Sequence, residues 1–443
     1  MAAKKSSTNI TKGRTKRALQ VGSLTTSVGS SYLWHGLKRP FQSAGKKEQE
    51  LLDLHLKNAL RIVESSRDLR GAFMKLVQML SMRNDIFPPE VVNILSVVQS
   101  SVPPMDYELI RTQIKEELGK YPEQLFQRFE RQAFAAASLG QVHRAGLKSG
   151  EDIVVKIQYP GVDETVAQDL KNMKALLHVF TRITRDVLRQ KFDASELYRE
   201  MEERLQEELD YVHEANNIAL FQRLFSYDDE VIIPRVYPDF SSRRVLTMEF
   251  IDGYKLQDIL APGVEQELKD WVAVKYFQIT WRQICQFGVL HTDPHPGNYL
   301  VTYHPKIAML DFGSVRVFPK EIRQGYQTLA KAIIDRDEKT MARCFVLLGY
   351  LDPGTDPAPL VRIMYSIFEP VLEDRVYDPR EFDSVGKTME VTTIGLENRI
   401  FNAPGHRLFL VRALLGLDSY VHQFGTVMNW HRLFRECIED AER

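Results

Sequence analysis

Residues 287–314, FGVLHTDPHPGNYLVTYHPKIAMLDFGS, set two carboxylates and one side-chain amide at fixed intervals among apolar residues and turn formers. Asp293 sits in His291-Thr292-Asp293-Pro294-His295-Pro296-Gly297-Asn298. Asn298 thus follows it by five positions, and Asp311 opens Asp311-Phe312-Gly313 thirteen positions further on. The intervening Tyr299–Thr302 and Ile307–Leu310 are apolar and partly β-branched, divided by Tyr303-His304-Pro305-Lys306. Two such runs around a proline-containing turn read as a short β-hairpin. A strand out and a strand back return Asp311 to the neighbourhood of Asn298, which is why this spacing constrains the fold so strongly.

An amide oxygen and a carboxylate held side by side can share one hard cation. Magnesium takes oxygen ligands in octahedral geometry and completes its shell with substrate phosphates and water. Asp293, a few residues away, is placed to orient or deprotonate an attacking group. This division of labour is that of kinase-type phosphoryl transfer: Asp293 catalytic, Asn298 and Asp311 on the metal. The rival pattern, zinc on His291 and His295, needs a helix to bring i and i+4 onto one face. Pro294 and Pro296 exclude that helix.

At 443 residues the chain has room for two or three domains or one large two-lobed unit. A net charge of -1 argues against a general nucleic-acid binder. Three widely spaced cysteines, Cys285, Cys344 and Cys437, form neither a disulfide framework nor a zinc knuckle and point to a reducing, cytoplasmic setting. Charge is unevenly spread, since the first 47 residues carry ten Lys or Arg and no acid. Within them residues 18–37 lack acids, Lys and Arg, and Val21, Leu24, Val28 and Tyr32 share one helical stripe. A basic arm lying on an anionic membrane surface fits this pattern; so do a basic tail and a helix docked on the catalytic body.

From Lys46 to Leu80 the period is helical, and Lys75 and Gln78 share a face. By its apolar surroundings alone Lys75 reads as a snorkelling structural lysine. Helices follow over 106–118 and 121–129. The period then changes. Gln141–Ala145 and Ile153–Gln158 read as a hairpin turning at Lys148–Glu151, preceded by a loop, Ala135-Ala136-Ala137-Ser138-Leu139-Gly140, where kinases carry the glycine-rich phosphate loop. Lys156, flanked by Val154, Val155 and Ile157, is placed to neutralise phosphate oxygens; the alternative is an edge-strand solubility lysine. A buried lysine needs a carboxylate partner. The long acidic helix Glu196–Phe225 offers Glu208 first, with Asp210 and Glu214 behind it. Val231–Pro234 and Val245–Ile251 read as further strands, and the backbone from Glu249 to Ile251 can hydrogen-bond an adenine edge. Residues 265–287 form an amphipathic helix, and Pro319–Arg443 is mostly helical without a catalytic constellation.

Six segments in unbroken order resemble the UbiB family, the atypical kinases that include the ADCK-type proteins. They are Lys75-Leu76-Val77-Gln78, the Ala135–Gln141 loop, Ile153–Lys156, Glu208-Leu209-Asp210-Tyr211, His291–Asn298 and Asp311-Phe312-Gly313. The resemblance implies an α+β, protein-kinase-like bilobal fold with an N-terminal helical extension and a helical C-terminal region. The expected division is an arm at 1–45, the extension at 46–130, an N-lobe at 131–252, and a C-lobe with C-terminal helices at 253–443. It implies ATP and Mg2+ as cofactors, with Ala135, Ala136, Ala137, Ser138, Lys156, Glu208, Glu249 and Ile251 around the nucleotide. It makes Lys75 and Gln78 regulatory partners of Glu208 and Asp210. It further implies ATP hydrolysis or small-molecule phosphorylation in support of ubiquinone or related prenyl-lipid metabolism, with an isoprenoid or quinone-precursor lipid as partner and peripheral membrane contact. A non-catalytic nucleotide-binding scaffold and a true protein kinase are the alternatives. One departure stands out: Val77 occupies the family's glycine, and valine forbids the close backbone approach that glycine permits.

Overall fold

The computed structural model describes residues 105–137, 139–171, 173–174, 194–293, 296–379 and 420–440. It adds isolated helical positions between 23 and 61 and at 394, 414 and 417. Lys75, Val77, Gln78, Ser138, His295 and nearly all of the basic arm lie outside the described residues. The chain divides into two compact units, residues 1–211 with 237–247 and residues 212–236 with 248–443.

The first unit is built on a sheet. Helix α1 (Tyr107–Leu118) starts at Asp106, whose carboxylate accepts from the Glu108 amide at 2.8 Å, and stops at Gly119 in the left-handed conformation. Helix α2 (Pro122–Leu125) is shorter than the expected 121–129 helix. Phe126 turns extended, and Arg128–Phe129 forms strand β1 instead, because pairing with β3 buries Phe126 in the core. The sheet has the order β1-β3-β4-β6, with β2 added on β3: β2 is Ala135–Ala137, β3 Gly140–Gly146, β4 Asp152–Gln158 and β6 Val245–Glu249. The alanine-rich segment is therefore a strand of a tight hairpin rather than an open loop, with Ala135 opposite Val142 and Ala137 opposite Gly140.

Strand alternation gives this sheet two different faces. Ala145, Ile153, Val155 and Ile157 pack with Ile110 and Ile114 of α1 in one buried cluster. Fully burying an aliphatic side chain of this kind stabilises by about 1.5–3 kcal/mol. Val154, Lys156 and Gln158 alternate onto the other face. Gly140 is fixed by close packing, since a Cβ there would lie 2.1 Å from the Ile157 carbonyl oxygen.

The single helix expected over 196–225 is two. α3 (Ala194–Glu208) ends in tightened bonds, Leu209 N–H to Gln206 O and Asp210 N–H to Glu207 O. Helix α4 (Tyr211–Leu224) then begins, the Tyr211 amide donating to Arg243 O at 3.0 Å. The boundary between the two units falls at this break.

In the second unit β5 (Val231–Ile232), β7 (Tyr254–Lys255), β9 (Tyr299–Val301) and β10 (Ile307–Met309) make a sheet of order β5-β10-β9-β7. Strand β5, expected among the N-lobe strands, runs parallel to β10 here, with Val231 opposite Ile307. The predicted hairpin is β9–β10, with Ile307 opposite Val301 and Met309 opposite Tyr299. Strands β8 (Val289–His291) and β11 (Val315–Val317) form a separate antiparallel ribbon. Helix α5 (Gln266–Trp281) does not continue to 287 as an α-helix but passes into a π-helix, Arg282–Phe287, closed by Gly288 at φ 63. Helices α6 (Lys320–Ile334), α7 (Glu338–Leu347), α8 (Ala358–Ile367) and α9 (Trp430–Asp440) lie further along the same unit. Phe277, Trp281, Phe368 and Phe434 stack in their midst, Trp281 and Phe434 at 4.3 Å between ring centroids. Cys285, Cys344 and Cys437 are buried free thiols there, as packing residues are. Burial pushes the Cys437 thiol up to about 12, so it is unreactive at neutral pH.

Candidate active site

The second unit gathers Asp293, Asn298 and Asp311 through three turns of backbone. The β8–β11 ribbon pairs His291 with Val315, so the loop that follows β8 and the loop that precedes β11 leave from the same end. Thr292 reinforces that end: its amide and hydroxyl both meet Ser314, the two hydroxyls 2.6 Å apart. On the other side the β9–β10 hairpin closes with the Leu310 amide donating to the Asn298 carbonyl at 2.9 Å. Asn298 and Asp311 are thus brought next to one another as the spacing predicted. The Asn298 side-chain amide donates to the Asp293 carbonyl at 3.1 Å, which assigns its nitrogen and turns its oxygen away from that loop.

His291 ties these loops together. Its Nδ1 accepts from the Asp293 amide at 3.3 Å, and its Nε2 meets the Asp311 carbonyl in a short contact. A backbone amide can only donate and a carbonyl only accept, so the ring is the neutral Nε2–H tautomer. Both ring nitrogens are spent on backbone, which removes His291 as a metal ligand. The backbone of His291 is held in turn by Gln283, whose side-chain oxygen accepts the His291 amide at 2.8 Å. Gln283 stands in the π-helix and is 2% exposed. Helical irregularities of this type recur beside functional groups because they displace one side chain from the regular spiral.

Asp311 is set by its own turn, the Gly313 amide donating to its Oδ1 at 3.0 Å. Helix α4 backs this turn: the Asn217 amide donates to the Phe312 carbonyl at 2.9 Å, and Phe221 meets the Phe312 ring edge-on at 5.0 Å. Glu214, one turn earlier on α4, is 2% exposed, and its carboxylate lies 3.9 Å from the position a Cβ on Gly313 would take. Of the three carboxylates considered for pairing with the lysine, this reserve is the one buried beside the Asp311 turn. Beneath Asp293 the rings of Tyr276 and Tyr299 meet edge-on at 5.1 Å. Burial, with the charge of Asp293 adding to it, pushes the Tyr299 phenol well up, so it is a neutral hydroxyl.

Lys156 belongs to the first unit. Its strand has β3 on one side and β6 on the other, so it is not an edge lysine, and it is 9% exposed. Its ammonium lies 5.1 Å from the centroid of the Tyr211 ring. Two residues along the same face, the Gln158 amide donates to the Glu208 carbonyl at 3.3 Å, which brings the end of α3 to the lysine's side of the sheet. Asp210 lies 4.0 Å from Arg243. Glu249 ends β6 and Ile251 lies just beyond it, both in the second unit; the Glu249 amide donates to Arg235 O at 2.8 Å. Ala135, Ala136 and Ala137 line the hairpin of the first unit.

Gln141, His143, Gln158, Asn217 and Gln283 are polar, at most 8% exposed and structurally engaged, and none was singled out from the sequence. The signal for the first two was present, as polar side chains at period two inside an apolar strand. Nothing in the sequence marks Gln283 or Asn217, whose roles depend on a helix irregularity and on a partner 95 residues away.

Comparison with known proteins identifies the family. Residues 97–345 match the family model described as the ABC1 atypical kinase-like domain. The Arabidopsis thaliana protein ACTIVITY OF BC1 COMPLEX KINASE 3, chloroplastic, is 35% identical over 82% of this chain and 50% of its own length. ACTIVITY OF BC1 COMPLEX KINASE 1, chloroplastic, from the same plant, is 36% identical over 68% of this chain and 44% of its own length. The chain therefore spans about half the length of these relatives. A solved structure of Rv3197 in complex with erythromycin, from Mycobacterium tuberculosis, superimposes with a TM-score of 0.64 at 23% identity, covering 89% of this chain and 98% of that one. That likeness shows a shared fold, and the family match makes that fold kinase-like. With the family match spanning more than half of its length and the Asp293, Asn298 and Asp311 loops assembled as described, the chain belongs to the ABC1 atypical kinase-like family, the UbiB/ADCK group.

Proposed function

We propose that this protein is an ATP-dependent phosphotransferase or ATPase that binds Mg-ATP and supports the metabolism of ubiquinone or a related isoprenoid lipid. The observation that carries it is the His291 bridge, which locks the Asp293 loop to the Asp311 turn while Asn298 closes the hairpin beside them. Asn298 and Asp311 would hold the magnesium. One carboxylate and one amide oxygen suit an ion that keeps water and phosphate oxygens in its shell. Among the described residues no cluster of three His, Cys, Asp or Glu side chains competes as a metal site. When bound, the ion draws off the charge that develops on the phosphate oxygens.

Asp293 orients the attacking hydroxyl or water and takes its proton. Lys156 contacts the nucleotide phosphates, with Glu208 at its side of the sheet. Ala135, Ala136, Ala137 and Ser138 would cover them as a hairpin whose alanine side chains stand the backbone off further than glycine would. The Glu249 amide is already bonded to Arg235, so the adenine edge falls to the Glu249 carbonyl and the Ile251 amide. Lys75 and Gln78, paired with Glu208 and Asp210, would regulate access.

The lipid partner rests on family membership, and peripheral membrane contact on the basic arm. Among the described residues no helix is long and apolar enough to cross a membrane. Both plant relatives are named chloroplastic, so an organelle interior suits such a contact as well as the cytoplasm does. The deciding measurement is phosphate release from Mg-ATP with and without anionic liposomes and a quinone-precursor mimic. Turnover that rises with lipid supports the proposal. Tight nucleotide binding with no turnover under any condition overturns it in favour of a scaffold.

A further inference from the structure

Next to the alanine hairpin the first unit carries a buried polar chain that the phosphoryl-transfer chemistry does not use. Gln141 is 1% and His143 0% exposed, both on the β3 face that packs against α1. The backbone amide of Met105 donates to the Gln141 side-chain oxygen at 2.8 Å. The Gln141 nitrogen lies 2.8 Å from His143 Nε2, and His143 Nδ1 lies 2.7 Å from the Glu130 carbonyl. The chemistry of the ends fixes every proton. Met105 N–H only donates, so the glutamine oxygen faces it; Glu130 O only accepts, so His143 carries its proton on Nδ1. Nε2 must then accept from the glutamine nitrogen, which requires a neutral imidazole.

We propose that Gln141 and His143 are positioning residues forming a proton-sensitive relay. It pins the chain at Met105 to strand β3 and lets go when the imidazole is protonated. An imidazolium presents N–H at both nitrogens. Nε2–H would face the Gln141 NH2, donor against donor. Flipping the amide cures that clash but turns the NH2 onto the Met105 amide, so either way one buried donor loses its acceptor. The bond that can be lost without moving the sheet is the one to Met105, where the chain enters the first helix. Among the described residues the groups around the ring do not offer a replacement. Tyr107 of α1, 6.4 Å from the imidazole, has its hydroxyl on Glu123 and its pKa pushed up to about 12 by burial and that carboxylate, and Arg131 lies over its other side. Phe129 stacks on the imidazole at 5.0 Å, and Val155 is its cross-strand neighbour. Burial holds His143 below its ordinary value of 6.5, opposed by the Glu130 carbonyl and charge, which places the release on the acid side.

Because β3 pairs directly with the alanine hairpin, Ala136 opposite Gln141, the relay also sets how firmly that hairpin is held. This last consequence rests on the proposed nucleotide role of the hairpin. The test is hydrogen exchange by mass spectrometry on the full chain, following the peptide that contains Met105 from pH 7.5 to 5 and correcting for intrinsic rates. In the unmodified protein, protection of this amide should fall roughly tenfold on acidification, the loss of about one hydrogen bond. Gln141→Leu should be unprotected at every pH. His143→Asn, which keeps one donor and one acceptor and cannot be protonated, should show protection with no acid step. Protection that ignores pH in the unmodified chain, an unchanged step in His143→Asn, or full protection in Gln141→Leu would each overturn the relay. Binding of a fluorescent ATP analogue to the same variants separates the two claims. If exchange behaves as stated while affinity is unmoved by Gln141→Leu, the relay stands and the hairpin's nucleotide role falls.

Discussion

Among the described residues each unit contains one buried histidine with both ring nitrogens engaged, and the two are wired in opposite senses. His143 donates from Nδ1 to a carbonyl and accepts at Nε2 from a side-chain amide. His291 accepts at Nδ1 from a backbone amide and donates from Nε2 to a carbonyl. In both, a glutamine is bonded to the histidine, Gln141 to the ring of the first and Gln283 to the backbone amide of the second. The difference lies in what the partner can do. Backbone groups cannot exchange donor for acceptor, so His291 is a staple between two loops. A glutamine amide can turn over, so the His143 chain has a second arrangement. The same residue pair makes a rigid joint in one unit and a releasable one in the other.

The comparison is sharpened first by removing what the staple holds. Asp293→Asn should lower ATP turnover by about 10²–10⁴-fold while nucleotide binding persists, measured by phosphate release and by analogue fluorescence. Turnover equal to that of the unmodified protein would strip Asp293 of its catalytic part. Next in size, His291→Ala removes the acceptor of the Asp293 amide and the donor to Asp311 O. At about 1–3 kcal/mol for each buried group left unpaired, the second unit should lose several degrees in melting temperature and most of its turnover. A variant that melts normally and turns over normally would show that the loops need no staple. Asn217→Leu breaks a single bond to the Phe312 carbonyl and should cost about 1–3 kcal/mol in denaturant unfolding, with the affinity for Mg-nucleotide falling alongside.

The smallest effect is the pH slope of the first unit. A histidine held below its ordinary value is protonated more readily in the unfolded chain, so stability is complete above 6.5 and falls as the pH drops from there toward the folded value. His143→Asn should flatten that slope in melts between pH 7.5 and 5. An unchanged slope would assign the acid sensitivity to other groups.

How much of this was legible beforehand differs by element. The β9–β10 hairpin could be read from alternation and a proline turn, because strand period and turn chemistry are local. The reach of that hairpin then placed Asn298 beside Asp311 with no further information. Lys156 was recognisable from its β-branched neighbours, though only the sheet order shows that its strand is flanked on both sides. The expectation of one helix from 196 to 225 failed because helical propensity runs unbroken through Leu209-Asp210. The Tyr211 amide bonds to Arg243, a partner no local pattern names. Residues 126–129 continued a helix by composition and became a strand because β3 offered a ladder and the core a place for Phe126. Tertiary pairing overrides propensity wherever the two differ by a few tenths of a kcal/mol per residue.

The sequence by itself determined the β9–β10 hairpin, the acidic and amide groups at their spacing, and membership of a kinase-like family. These follow from periodicity and from short-range geometry along one chain. Only the folded molecule decided the tautomers of His143 and His291, the π-helical placement of Gln283, and the division of α3 from α4. A hydrogen bond between groups tens of residues apart is specified by where two backbones meet, and that meeting is a property of the packed core, not of any stretch of the polymer.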